Sequence, residues 1–195
     1  VVEQGPAGDA FVAAAQTALA DVGPQVMLTQ GIAQAYRDGQ ARFEGRNSVT
    51  PLLSTESRGR EASPNLYETD AATYLQDHAL GEEVFGPLGL VIRVQGPEDM
   101  ERLAKGFEGQ LTATIHLDPE DAPEARRLLP ILERKAGRVL ANGFPTGVEV
   151  ADAMVHGGPY PASTNFGATS VGTLSIRRFL RPVSFQNIPE GVLPD

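Results

Sequence analysis

The chain has 195 residues, of which 41% are hydrophobic and 21% charged, and its formal net charge is -9. An acidic chain without a basic face gives nucleic-acid binding no electrostatic basis. The absence of cysteine excludes disulfides and thiolate metal ligands. No apolar run approaches the roughly 18 residues of a membrane span, and the histidines are widely separated. We therefore expect a cytoplasmic protein with no membrane segment and no metal site.

Two helices are predicted in the first part of the chain. Asp9 is a candidate N-cap for the first helix, which carries Phe11, Val12, Ala15 and Leu19 and closes at Gly23-Pro24. The second helix is predicted to end at Gly39, since glycine suits the left-handed residue that follows a helix. From residue 40 to residue 65 the periodicity is weak and charges of opposite sign alternate. This pattern predicts a solvated segment with no functional site.

Strands and helices alternate through the middle of the chain. Residues 66–68 form a short strand candidate, and Asp70 caps the helix that follows. The apolar run 90–94 predicts a strand buried on both faces. The later elements are a helix from Pro97, a strand at 111–117, a helical region from Asp118 that Pro130 breaks or kinks, and a strand at 138–142. The alternation from Val84 to Asn142 predicts a parallel sheet with covering helices.

The C-terminal part of the chain has a different character. Residues 143–172 are rich in glycine and proline, which predicts a long loop that is functional or disordered. In the tail, Val183 and Phe185 alternate with polar residues as in an edge strand. We therefore predict a main portion, 1–172, followed by a tail, 173–195. The chain also opens on Val1 without methionine, so we expect it to be part of a longer protein.

Two side chains at the entry to the central strand suggest a binding function. Glu83 and Phe85 precede a Gly-Pro turn signal, at a junction between a loop and the sheet. A carboxylate can accept hydrogens from two ribose hydroxyls, and an aromatic ring two residues on can cover a flat ring. In the alternative interpretation Glu83 is a solvated loop charge and Phe85 is a core residue.

The stretch from Glu82 to Pro87, followed by an apolar strand, resembles the signature of the NAD(P)-dependent aldehyde dehydrogenases. Residues 97–114, 137–143 and 155–160, and the tail as well, are similar to later parts of that family. The resemblance implies an α/β fold, a parallel-sheet three-layer catalytic subdomain of aldehyde dehydrogenase type with a C-terminal oligomerisation strand. It implies that Glu83 holds the nicotinamide ribose and that Phe85 packs against the ring.

Residues 144–150 look most like the branch of the family that oxidises α-ketoglutaric semialdehyde, an aldehyde with a distal carboxylate. The resemblance implies that the following residues line the substrate pocket: Asn142, Phe144, Pro145, Thr146 and His156. His156 stands where most members carry phenylalanine, and when protonated it would favour an anionic substrate. Alternatively, it is a loop histidine bonded to nearby backbone. Asn142 could face a developing oxyanion, but such residues more often satisfy local backbone, and we assign it no catalytic role.

The family's catalytic nucleophile is a cysteine, and this chain has none, so no catalytic residue is predicted in it. NAD or NADP would be bound mainly by a part of the enzyme upstream of Val1. We therefore expect the C-terminal portion of an aldehyde dehydrogenase catalytic domain, inactive alone. Its expected partners are the aldehyde, the upstream part of the same enzyme and further copies of the subunit, with neither nucleic acid nor membrane. The alternative is a non-catalytic assembly module that retains the fold.

Overall fold

The computed structural model describes residues 1–145, 147–165 and 167–193. The chain divides into two compact units, Val1–Phe107 and Glu108–Asp195. The boundary predicted between residues 172 and 173 is a different division, and it stays a prediction. Within the described residues, none of the helices has the length and apolar character that a bilayer crossing requires.

The first unit is built on a four-stranded, mostly parallel sheet. Its strands are β1 Val2–Glu3, β3 Thr50–Leu53, β5 Asn65–Asp70 and β6 Leu88–Val94, in the order β1-β6-β5-β3. Both β1 and β5 run parallel to β6, whereas β3 runs antiparallel to β5. A separate antiparallel pair joins β2 Gln25–Val26 to β4 Glu61–Ala62.

Helices cover both faces of this sheet. They are α1 Pro6–Ala20, α2 Gln30–Glu44, α3 Ala71–Gln76 and α4 Pro97–Gly106, with a 3-10 turn at His78–Leu80. On one face Val12 of α1 packs with Leu66 and Val91. On the other face Ile92 packs with Leu103 of α4. Because neighbouring residues of β6 are buried on opposite faces, the prediction of a strand buried on both sides is confirmed.

The start of α1 differs from the prediction. The helix begins at Pro6, so Asp9 lies in its first turn and is not the N-cap. Proline is well accommodated there because the first helical N–H groups have no partner within the helix. The Asp9 carboxylate lies 3.1 Å from the Arg93 guanidinium. Of the apolar residues predicted on this helix, Val12 is buried, whereas Phe11 is 58% exposed.

Helix α2 is longer than predicted. It begins after Thr29, whose hydroxyl accepts the Ile32 N–H at 3.1 Å, and it continues through Gly39 to Glu44. Tyr36 and Phe43, separated by two turns, are both buried, which is the spacing of one inward face. The predicted end at Gly39 is therefore wrong. The prediction of a solvated segment at 40–65 is also wrong, because the last turn of α2, β3 and β4 all lie within it.

The capping of α3 is confirmed. One Asp70 carboxylate oxygen accepts the Thr73 N–H at 2.9 Å, and the other accepts the Thr73 hydroxyl at 2.8 Å. Helix α4 begins at Pro97 as predicted and buries Leu103 and Ala104.

The second unit contains a smaller parallel sheet of β7 Gln110–Ile115 and β8 Ala136–Ala141. They are connected by a 3-10 turn, Pro119–Asp121, and by α5 Ala122–Leu132, which buries Leu128 and Leu132. Helix α5 continues past Pro130, so the predicted break does not occur. Proline has no N–H to donate to the carbonyl four residues earlier, and the helix ends two residues after it.

Strands β6, β7 and β8 alternate with α4 and α5 as predicted, but they do not form one sheet. The reason is that β6 already pairs with β1 on one edge and with β5 on the other. Within the described residues β7 pairs with β8. The predicted α/β class with a parallel-dominated sheet is nevertheless confirmed.

Residues 143–193 are irregular in their described parts, apart from 3-10 turns at Thr173–Phe179 and Glu190–Val192. Val183 and Phe185 are each 56% exposed and belong to no strand of this chain. An edge strand exists only against a partner strand. The pairing of this tail with another subunit stays a prediction.

Candidate functional site

Glu83 and Phe85 lie in the loop between the 3-10 turn His78–Leu80 and β6. We call residues 83–87 the 83–87 loop. Both side chains are exposed, Phe85 to 65%, so the interpretation of Phe85 as a core residue is wrong. Val84 lies between them and packs inward, against the cluster that contains Tyr67. The alternation leaves a carboxylate and a phenyl ring two residues apart on the exposed side of the loop.

Gly86 brings the 83–87 loop directly onto Tyr36 of α2. Its φ of 153° is one that residues with a Cβ rarely adopt. A Cβ built on Gly86 would lie 2.3 Å from the Tyr36 ring. Conformation and space therefore both require glycine at this position.

A buried hydrogen-bond network lies beneath the loop. Tyr36 is fully buried, and its hydroxyl donates to the Ser63 carbonyl at 2.7 Å, with the Pro87 carbonyl at 3.2 Å. The Asn65 amide donates to the same hydroxyl at 2.9 Å, and the Asn65 N–H donates to the Pro87 carbonyl at 2.9 Å. Burial raises the pKa of Tyr36, and the Asn65 hydrogen bond partly opposes the rise. The network joins α2, β5 and the 83–87 loop.

The network continues to Glu44 at the end of α2. Its carboxylate accepts hydrogen bonds from Ser54 at 2.7 Å, Gln40 at 3.0 Å and Tyr67 at 3.4 Å. The Ser54 bond, followed by that from Gln40, holds the pKa of Glu44 below its ordinary value. Burial, and then the Glu44 charge, raise the pKa of Tyr67. Sequence reasoning missed this network because many of its members lie in the segment 40–65, which was assigned as solvated: Gln40, Glu44, Ser54, Ser63 and Asn65.

In the second unit, Asn142 follows β8 with a left-handed φ of 50°. Its side-chain oxygen accepts the Leu117 N–H, and its amide nitrogen donates to the Leu117 carbonyl, both at 2.8 Å. Its own N–H donates to the Ile115 carbonyl at 3.0 Å. Both ends of the amide are engaged with the chain that leaves β7, which favours the structural interpretation of Asn142.

The aromatic side chain that follows is open to solvent. Phe144 is 78% exposed, and its ring centroid lies 5.6 Å from that of His116, a residue the sequence did not single out. Pro145 is exposed as well. Thr146, the fourth predicted pocket residue, lies outside the described residues. Phe144 and His116 follow β8 and β7 respectively, so they meet at the carboxyl edge of this parallel pair.

The backbone of His156 is fixed, and its side chain is exposed. Its N–H donates to the Thr169 hydroxyl at 2.8 Å, and its carbonyl accepts the Ser170 N–H at 3.3 Å. A Cβ built on Gly158 would lie 2.3 Å from the Gln110 carbonyl, so the loop runs directly against the start of β7. The structure thus holds the loop while leaving the imidazole accessible. Its predicted contact with substrate stays a prediction.

The predicted site residues fall into two groups, one in each compact unit. Glu83 and Phe85 belong to the first, and Asn142, Phe144, Pro145 and His156 belong to the second. In the described part of the chain, no group of three or more His, Asp or Glu side chains is arranged to hold a metal ion.

Comparison with known proteins identifies the chain's family, although no protein-family model matches it. Alpha-ketoglutaric semialdehyde dehydrogenase 2 of Azospirillum brasilense is 49% identical over 193 residues, which cover 98% of this chain. The chain belongs to the aldehyde dehydrogenase family. Alpha-ketoglutaric semialdehyde dehydrogenase of Acinetobacter baylyi is 46% identical over 196 residues, covering 97% of this chain. The chain spans only 37% of the length of either relative, in the C-terminal part.

Solved aldehyde dehydrogenase structures share the fold of this chain. A lactaldehyde dehydrogenase matches with a TM-score of 0.69 and 19% identity, over 91% of this chain and 37% of that one. Apo betaine aldehyde dehydrogenase from Staphylococcus aureus matches with a TM-score of 0.65 and 19% identity, over 88% of this chain and 35% of that one. The family predicted from residues 82–87 is thus confirmed, and both curated relatives carry the name of the predicted branch.

Proposed function

We propose that this chain is part of an NAD(P)-dependent aldehyde dehydrogenase that oxidises α-ketoglutaric semialdehyde to the carboxylic acid. In this proposal Glu83 and Phe85 contact the nicotinamide end of NAD or NADP. The loop that contains Phe144, Pro145 and Thr146, together with His156, shapes the entry of the aldehyde. The observation that carries the proposal is the alternation in the 83–87 loop, where Val84 is partly buried and packs inward while Glu83 and Phe85 on either side of it are exposed.

The exposed pair fits the chemistry of a nicotinamide nucleoside. A carboxylate offers enough lone pairs to accept hydrogens from both ribose hydroxyls. A phenyl ring with one exposed face can stack on a flat heterocycle. When bound, the nicotinamide would supply the hydride acceptor for oxidation of the aldehyde, with Glu83 and Phe85 holding its ribose and ring. The contribution of this chain is to orient the nucleotide, because Glu83 and Phe85 stand on a loop held against α2 and β5.

The substrate assignment rests on the second unit and on the names of the curated relatives. The exposed His156 imidazole would attract the distal carboxylate of the semialdehyde when it is protonated. Asn142 precedes Phe144 by two residues, and its amide is occupied by the Leu117 backbone. Its role in the proposal is to fix the backbone that leads to Phe144.

The remaining chemistry needs groups that this chain does not contain. Acyl transfer in the proposed mechanism requires a cysteine nucleophile, and the 195 residues include none. We therefore expect these residues alone to be inactive, with the nucleophile and most of the nucleotide site supplied by an upstream part of the same enzyme. The exposed tail is proposed to pair with another copy of the subunit.

The proposal is tested by replacing two neighbouring glutamates, one at a time, in the full-length protein. By full-length protein we mean this segment with any sequence that its gene encodes on either side. Glu83→Gln removes the charge at the proposed ribose contact. Hydrogen bonds to charged groups contribute about 1.5–3 kcal/mol, so kcat/KM for NAD(P)+ should fall by about ten- to a hundredfold. Glu82→Gln, the matched control, removes a charge that is also exposed one residue earlier and should change the same constant by less than about twofold.

Each outcome has a defined meaning. Equal kinetics of Glu83→Gln and the unmodified protein would remove Glu83 from the nucleotide site. A wild-type protein that does not reduce NAD(P)+ with any aldehyde would reject the proposed function. That result would favour the second candidate, a non-catalytic assembly module, which the absence of cysteine and the exposed apolar tail support independently.

A further inference from the structure

Gly39 occupies an unusual place in helix α2. It lies in the interior of Gln30–Glu44, where glycine is less favourable than alanine because it loses more backbone freedom on folding. An isolated glycine in a helix interior usually has a packing or functional reason. We therefore expect a residue that packs against α2 at Gly39 to require glycine there.

The side chain that lies against Gly39 is Val84. A Cβ built on Gly39 would be 2.5 Å from Val84 Cγ1, 3.0 Å from Cγ2 and 3.3 Å from Cβ. These contacts are too close for an unmoved alanine. Val84 also packs against the cluster of Phe43, Val49, Tyr67 and Leu80, so it has buried neighbours on its other side. The absence of a side chain at Gly39 is what lets Val84 sit this deep.

The same helix holds the loop at a second point, three residues earlier. Tyr36 lies under Gly86, and its hydroxyl lies 3.2 Å from the Pro87 carbonyl. The two contacts therefore bracket Phe85, with Val84 on Gly39 before it and Gly86 on Tyr36 after it. Residues i and i+3 of a helix lie on one face, so the loop rests on a single face of α2.

We propose that Gly39 is a positioning residue for the nicotinamide contacts of Glu83 and Phe85. Its missing side chain sets the depth of Val84, and the depth of Val84 sets where its two exposed neighbours stand. This inference rests on the proposed function of the 83–87 loop. Gly39 touches neither nucleotide nor substrate, and it acts through Val84.

The experiment places a methyl group at Gly39 of the full-length protein and then removes the methyl groups it meets. Gly39→Ala should displace Val84 outward and raise KM for NAD(P)+ by about tenfold or more, the scale expected when a contact moves by a fraction of an ångström to one ångström. The KM for the aldehyde should change by less than about twofold, because the substrate residues lie in the other unit. A role limited to stability would not separate the two constants in this way.

Two matched variants complete the test. Gly39→Ala/Val84→Ala removes both γ-methyl groups, so the contact nearest to the new methyl becomes the 3.3 Å one, and KM for NAD(P)+ should return to within about threefold of that of Val84→Ala alone. Gly31→Ala changes another glycine of α2, where a Cβ would meet only the Thr29 hydroxyl at 3.9 Å, and should leave both constants unchanged.

Wild-type NAD(P)+ kinetics in Gly39→Ala would overturn the inference, as would a double variant that remains as impaired as the single one. If Gly39→Ala does not fold, the comparison of the double variant with Val84→Ala decides, and a double variant still impaired relative to Val84→Ala counts against the inference. The proposed function is judged separately, by the wild-type reaction and by Glu83→Gln. The inference can therefore fail while the proposed function stands.

Discussion

At the scale of single residues, Asp70 shows how one carboxylate joins a strand to a helix. It is the last residue of β5 and the N-cap of α3, and both its oxygens are used by Thr73, through the backbone N–H and the hydroxyl. The backbone hydrogen bond, and then that of the hydroxyl, hold the pKa of Asp70 below its ordinary value. The ionised carboxylate is therefore the form that the folded chain favours.

Replacing this cap should loosen α3. Loss of an N-cap typically costs about 1 kcal/mol, so Asp70→Ala should speed amide hydrogen exchange of residues 71–76 by about fivefold at neutral pH. Asp70→Asn is the matched variant, since asparagine caps about as well and carries no charge. Exchange in Asp70→Ala equal to that of the wild type would show that the cap contributes nothing measurable.

The Asp70 cap should also make the hydrogen-exchange protection of α3 depend on pH. Because the folded-state pKa of Asp70 is lowered, its stabilising contribution is present above the unfolded-state pKa of about 3.9 and is lost as the pH falls through the lower folded value. Protection of α3 in the wild type should therefore decline towards that of Asp70→Ala in acid. Asp70→Asn should lack this component, and an equal acid dependence in the asparagine variant would contradict the assignment.

At the scale of elements, the sequence predicted those whose signals are local. The Asp70 cap, the apolar run of β6 and the proline at the start of α4 are each visible within a few residues, and all three elements form. Local patterns sufficed for these three elements because the physical cause was local. Glu83 and Phe85 were chosen from a motif of six neighbouring residues; both are exposed, and their contact with a nucleotide stays a prediction.

Elements stabilised by distant partners could not be predicted in this way. Gln40 donates to the Thr55 carbonyl, and Tyr36 donates to that of Ser63, across 15 and 27 residues respectively. In the sequence Gln40 falls in a segment that indicates solvent, and only the fold shows that both side chains are buried and hydrogen-bonded to distant backbone carbonyls. Likewise, Gly39 has the sequence pattern of a helix end. The residue that explains it, Val84, is 45 positions away, so the sequence alone does not show the contact.

The pairing of strands within the sheets also could not be predicted from the sequence. Periodicity predicts which residues are extended but not which strand edges remain open. The strands between Val84 and Asn142 were expected to build a parallel sheet, but both edges of β6 are occupied by β1 and β5. The same limit applies to the tail, because alternation at Val183 and Phe185 is meaningful only if a partner edge exists.

At the scale of the whole molecule, the exposed tail predicts assembly. Among its large apolar side chains, Ile176, Phe179, Val183 and Phe185 are all more than half exposed. In the full-length protein, Val183→Asp/Phe185→Asp should reduce the mass measured by light scattering, since burying unpaired charges at an interface costs several kcal/mol. Ser184→Asp/Gln186→Asp adds the same charge on the alternate positions and should leave the mass unchanged. A mass unaffected by the first pair, or a monomeric wild type, would contradict the predicted assembly.

The central claim is that Glu83 and Phe85 hold the nicotinamide end of the nucleotide. A crystal structure of the full-length protein with NAD(P)+ tests it most directly. The account predicts the Glu83 carboxylate within about 3 Å of the nicotinamide ribose hydroxyls, with the Phe85 ring against the nicotinamide. A bound nucleotide whose ribose is held by other residues, with Glu83 left in solvent, would contradict it.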